Sequence, residues 1–88
     1  MIIEVNESFE KDFKKLKNKE LEKRIINKLN IIEKEISLEN ISNIKKLYWF
    51  NDLYRLRIWD YRIWFRLKSN KIILLRVRSR KDIYNIFP

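Results

Sequence analysis

From Tyr54 to Arg80 the chain reads YRLRIWDYRIWFRLKSNKIILLRVRSR, and arginine keeps returning at even spacings: Arg55 and Arg57, Arg62 and Arg66, then Arg76, Arg78 and Arg80. Period two is the period of a β-strand, in which successive side chains point to opposite faces of the sheet. Seven of the eight arginines are therefore expected on one face. The other parity supplies Leu56, Ile58, Tyr61, Ile63, Phe65, Leu67, Ile73, Leu75 and Val77, an apolar set suited to packing on helices. One face is core and the other cationic, with Trp59, Trp64 and Leu74 interrupting the cationic side.

The preceding residues supply the helices. Ile2 to Val5 reads as a short first strand, and Asn6 or Ser8 can cap a helix in which Phe9, Phe13 and Leu16 recur at i, i+4 and i+7. After a polar joint at Lys17 to Lys19, a longer helix carries Leu21, Ile25, Leu29, Ile32 and Ile36 on one stripe. The sequence contains no glycine, so the two hairpin turns, Trp59-Asp60 and Ser69-Asn70, need another source of positive φ. Asp60 and Asn70 are the residues best able to supply it. The segment after Arg80 predicts one or two helical turns folding back over the sheet edge. The expected fold is α+β, one small domain over residues 1–88: a mostly antiparallel four-stranded sheet with two N-terminal helices on one face, in the order β-α-α-β-β-β.

Charge is distributed as unevenly as arginine. Residues 1–43 hold nine Lys/Arg and nine Asp/Glu, whereas residues 44–88 hold twelve and three, so the whole net charge of +9 lies in the strand half. That asymmetry points to an anionic partner, nucleic acid first, because neutralised phosphates release counterions. Histidine and cysteine are both absent. Imidazole catalysis, thiolate chemistry, disulfides and zinc fingers are thereby excluded. Asp52, Asp60 and Asp82 are too dispersed for a two-metal carboxylate site, and no cofactor is expected. Met1 to Glu4 contains neither a basic nor an apolar leader region, and the longest apolar runs are four residues, so a soluble cytoplasmic protein with no membrane segment is expected.

The motifs LYRLRIWDYRIWFRL and RSRKDIY, together with this element order, resemble the RelE/ParE superfamily of type II toxins, in wording its RelE branch. The likeness is most specific from Tyr54 to Tyr84. It implies a ribosome-dependent endoribonuclease that cleaves messenger RNA and inhibits translation, with the ribosome, mRNA and an acidic RelB-like antitoxin as partners. It also implies site residues: Arg55 and Arg57, Arg62 in DYR, Arg78 or Arg80, and Tyr84. Arginine stands in the second strand where some active members carry lysine, and Trp59 replaces the glycine of GDYR. A ParE-like inhibitor of DNA gyrase and a non-catalytic RNA-binding module are the alternatives on the same fold.

RNA can be cut without metal when its 2′-hydroxyl attacks the neighbouring phosphorus, which requires a base, stabilisation of a dianionic phosphorane and protonation of the leaving 5′-oxygen. Arginine is a poor base and a strong clamp on phosphate oxygens. Arg62 and Arg78 are accordingly assigned charge stabilisation and, with Tyr84, the catalytic role. Arg55, Arg57, Arg66, Arg76, Arg80 and Lys81 are assigned RNA binding. Tyr84 is open to two roles, proton transfer through a phenolate favoured by guanidiniums, or stacking on a base. Lys45 and Lys46 read as a solvated pair, and Trp49 and Phe50 as core or antitoxin contact.

Overall fold

Alternating segments of this kind pair with one another, and they form the middle of the sheet. A computed structural model describes residues 1–47 and 50–81. Along the chain lie β1 (Ile2–Val5), α1 (Glu7–Lys15), α2 (Lys19–Lys34), β2 (Ile44–Lys46), β3 (Leu53–Ile58), β4 (Tyr61–Lys68) and β5 (Lys71–Ser79). Among the described residues these strands form one five-stranded sheet in the order β1-β5-β4-β3-β2. Only β1 and β5 run parallel. The α+β class and the two helices agree with the sequence reading, but the sheet has five strands rather than four. The additional strand, β2, is three residues long and two of them are lysines. It pairs with β3 alone, and a short lysine-bearing strand is how sheets commonly finish an edge.

Both helices cover one face. Phe9 of α1 and Leu21, Ile25 and Ile32 of α2 join Leu56, Ile58, Ile63, Phe65, Ile72, Leu74 and Val77 in one buried cluster. Burying each such side chain fully contributes about 1.5–3 kcal/mol. Asn18 starts α2 by accepting a hydrogen bond from the Leu21 backbone N–H at 3.1 Å, and Lys17 takes a left-handed φ of 49° at the joint. The helix ends at Lys34, so Ile36 lies beyond it and is 92% exposed. The expected stripe is thus one residue too long.

Two further expectations are corrected. Trp64 and Leu74, expected to interrupt the cationic face and so to stand in solvent there, are 0% and 1% exposed. A β-bulge explains the second: Trp64 pairs with Arg76 and Phe65 with Leu74, so Leu75 is an extra residue and the parity of β5 changes there. Ile72 and Leu74 therefore enter the core in place of Ile73 and Leu75, which are half-buried. Trp64 does share a face with Arg55 and Arg76, its cross-strand partners, but it is buried there. The hairpins differ too: positive φ falls on Trp59 and Ser69, each at 54°, rather than on Asp60 and Asn70. A positive φ at the first loop residue alone is the type II′ pattern. The proposed C-terminal helical turn, with Asp82 and Tyr84, and the Trp49 assignment lie outside the described residues.

Candidate functional site

Register sorts the arginines before any long-range geometry does. Arg57 faces Arg62 across β3 and β4, Arg62 faces Arg78 across β4 and β5, and Arg55 faces both Trp64 and, on β2, Lys45. Directly opposite residues share a face, so these cations form one field on the sheet face opposite Leu56 and Ile63, reached from its edges by α1 at Asp12 and α2 at Arg24. Within that field the arginines divide by the company they keep.

Arg66 and Arg76 are held by acids. At one end Arg66 Nη1 donates to both Asp52 carboxylate oxygens at 3.0 and 2.9 Å. At the other, Arg76 grips Asp12 of α1 with Nε at 2.8 Å and Nη2 at 3.1 Å. Asp12 is almost fully buried, and it also accepts the Val77 backbone N–H at 3.1 Å and lies 3.2 Å from Arg78 Nη2. This clasp exists because β1 ends beside Leu74 and frees the edge of β5, along which α1 then lies. Asp12 was invisible as a special residue among Lys11, Lys14 and Lys15. Arg78 is fixed by it, and its Nε is buried without a hydrogen-bond partner among the described residues.

Arg55, Arg57, Arg62 and Arg80 are different, because none of them forms a salt bridge among the described residues. Arg62 is tethered through Nη1 to the backbone oxygens of Trp59 and Tyr61, both at 3.2 Å. Burial, followed by repulsion from Arg55, Arg57 and Arg80, lowers its pKa from the usual arginine value, while Asp60 opposes the shift. Arg55, Arg57 and Arg62 line a concavity of ≈ 390 Å³ with Asn43, Ile44 and Lys45. Lys45, read from sequence as solvated, is exposed and also borders this concavity. Arg80 and Lys81 are exposed and border a neighbouring hollow with Asp60, Tyr61 and Ser79. Tyr84 lies outside the described residues.

A cluster of this kind clamps oxyanions, since planar guanidiniums present paired donors and their mutual repulsion is relieved by negative charge. No group of three or more His, Cys, Asp or Glu residues able to hold a metal occurs among the described residues. None of the described helices is long and apolar enough to cross a membrane.

A family model described as the ParE toxin of type II toxin-antitoxin systems, parDE, matches residues 3–84. The chain belongs to this family. Among solved structures, the toxin–antitoxin complex RelB-RelE from Methanococcus jannaschii matches with a TM-score of 0.85 at 32% identity, over 97% of this chain and 99% of that one. The archaeal RelE-RelB complex from Pyrococcus horikoshii OT3 gives a TM-score of 0.70 at 26% identity, covering 90% of this chain and 93% of that one. Toxin RelE3 of Methanocaldococcus jannaschii is 41% identical over 46 residues, 52% of each chain, so this chain spans about half the length of the curated relative it matches. The resemblance carried by the DYR and RKDIY motifs thus holds for a RelE-family toxin fold with archaeal relatives.

Proposed function

We propose that this RelE-family toxin is a metal-independent endoribonuclease that cleaves messenger RNA on the ribosome and so stops translation. The observation that carries the reading is the set of arginines that form no salt bridge among the described residues: Arg55, Arg57 and Arg62 in one concavity, with Arg80 near enough to depress the Arg62 pKa. Arg55 and Arg57 position the RNA backbone, Arg62 and Arg78 stabilise the phosphorane, and Tyr84 transfers a proton or stacks on a base. Arg66 and Arg76 contribute through ion pairs already made. The attacking group is the substrate's own 2′-hydroxyl, a route that needs no protein nucleophile and suits a site dominated by guanidiniums, which stabilise a phosphorane but do not attack it. Weak acid–base groups leave much of the acceleration to positioning by the ribosome, and such positioning can supply about 7–11 kcal/mol. The partner that restrains the toxin is an acidic, RelB-like antitoxin, a reading supported by the RelB-RelE complexes among its structural relatives.

Cleavage on programmed ribosomes should persist at EDTA concentrations that leave the ribosome intact, give a 5′-hydroxyl with a 2′,3′-cyclic or 3′-phosphate, and stop when the nucleotide 5′ to the cut is 2′-deoxy. Products with a 5′-phosphate would refute the mechanism. The parDE description of the matching family model favours one competing reading, inhibition of DNA gyrase. Pulse labelling after induction separates the two: translation should arrest first, whereas early arrest of DNA replication would establish the gyrase reading.

A further inference from the structure

The eighth arginine, Arg24, lies in α2, outside the strand cluster, and its guanidinium carbon stands 4.4 Å from the centre of the Trp59 ring. Trp59 is in turn the first residue of the β3–β4 turn and holds a φ of 54°. A bulky aromatic residue at positive φ is an outlier, costing energy that glycine or asparagine would avoid, and such strain persists where the surroundings or the function require the side chain. Packing alone gives a poor account of it, because Trp59 is still 45% exposed.

Around this pair lies a groove of ≈ 640 Å³, whose walls include Arg24, Lys28, Asn43, Arg57 and Trp59. That volume falls in the range of small-ligand sites, and its lining comprises three cations, two amides, two isoleucines, an indole and a single carboxylate, that of Asp60, so cations outnumber acids three to one. The groove adjoins the arginine concavity, with Asn43 and Arg57 lining both. An aromatic ring beside cations, adjoining a phosphate clamp, is the arrangement that holds single-stranded nucleic acid: the base stacks while the backbone is neutralised.

We propose that Trp59, backed by Arg24, is a stacking subsite for one unpaired nucleotide of the RNA strand whose phosphates lie on Arg55, Arg57 and Arg62. The identity of that strand rests on the function proposed above; the stacking does not. Arg57 bridges the two hollows, so the stacked nucleotide adjoins the clamped phosphates, and Lys28 adds charge along its path.

The test is binding of a short single-stranded oligoribonucleotide, 2′-O-methylated to prevent cleavage, with an abasic residue introduced at each position in turn. Trp59→Gly removes the ring and restores the residue a type II′ turn prefers, so its melting temperature should equal or exceed that of the parent while affinity falls at least about five-fold. Trp59→Phe should recover most of that loss. One abasic position should reproduce the loss in the parent and add nothing in Trp59→Gly, which ties the ring to one base. Unchanged affinity in Trp59→Gly, an abasic effect that persists in full in that variant, or unfolding of Trp59→Gly would overturn the subsite. Arg62→Gln serves as the control. If it weakens binding and Trp59→Gly does not, the subsite fails and the arginine clamp stands; if binding ignores Arg62→Gln but needs Trp59 and one base, the clamp fails and the subsite stands.

Discussion

Arg62 carries a charge that the fold disfavours. Its pKa is lowered by burial and by Arg55, Arg57 and Arg80, so the folded protein holds this proton more weakly than the unfolded chain does. The sign follows: the repulsion is fully present at any pH below the lowered pKa, neutral pH included, and is relieved only as Arg62 loses its proton. Taking the charge away should therefore not harm the fold. We expect Arg62→Gln to change unfolding free energy by no more than about 0.5 kcal/mol, or to raise it, in urea titrations. Cleavage on programmed ribosomes should fall at least about 100-fold, the usual effect of deleting a donor to a developing oxyanion. A variant that unfolds along with losing activity would make Arg62 structural. Anions should act in the opposite direction to the repulsion, and sulfate should raise the melting temperature more than chloride at equal ionic strength.

The contact between α1 and β5 reverses the expectation for the neighbouring arginines. Because Asp12 receives Arg76, Arg78 and the Val77 N–H, removing it leaves two guanidiniums and a buried amide without their acceptor. Asp12→Ala should cost about 3 kcal/mol, the lower end for breaking a buried ion pair, since the Arg76 and Arg78 side chains keep 26% and 27% exposure. Asp12→Asn, which still offers a carbonyl to Val77, should lose less. Equal urea midpoints for Asp12→Ala and the parent would show that the clasp contributes nothing. The same elements mark where the sequence was readable. Alternation identified the core face of β3 and β4 because both strands run without irregularity as far as Trp64. It failed at Ile73 to Leu75, where the bulge inserts a residue, and no periodicity can announce a bulge. It also missed β2, too short to show alternation. In the site, arginine spacing found the cationic face, but the division into paired and unpaired arginines depends on Asp12 and Asp52, which reach their partners only through the tertiary fold. The positive φ of Trp59 runs against residue preference, so preference pointed to Asp60 instead.

Across the molecule, most of the exposed apolar surface lies outside the half that carries the net charge. Residues 44–88 hold the entire +9, with Phe50 and Trp59 exposed among them, while other exposed apolar side chains stand on α2 at Ile26 and Ile31 and on β1 at Ile2 and Val5. An acidic antitoxin that lays a helix on such patches would gain both area and charge complementarity. Affinity for it should fall as sodium chloride rises from about 50 to about 500 mM, with retention of apolar contacts leaving measurable binding at the top of that range. Salt-independent affinity would mean that the cationic field takes no part in restraint. The sheet also imposes an order in time. Its parallel pair sets Ile2 beside Lys71, and Asp12 waits for Arg76 and Arg78, so both closures join distant parts of the chain. Contacts of such span form late and at high loop-closure cost, whereas the β3–β4 hairpin can form locally. On a ribosome making this protein, the first strand and the Asp12 carboxylate emerge long before their partners exist. A nascent chain can thus display the Arg57–Arg62 hairpin while still lacking the clasp that fixes Arg78, and the full arginine field is assembled only when nearly the whole described sheet has been made.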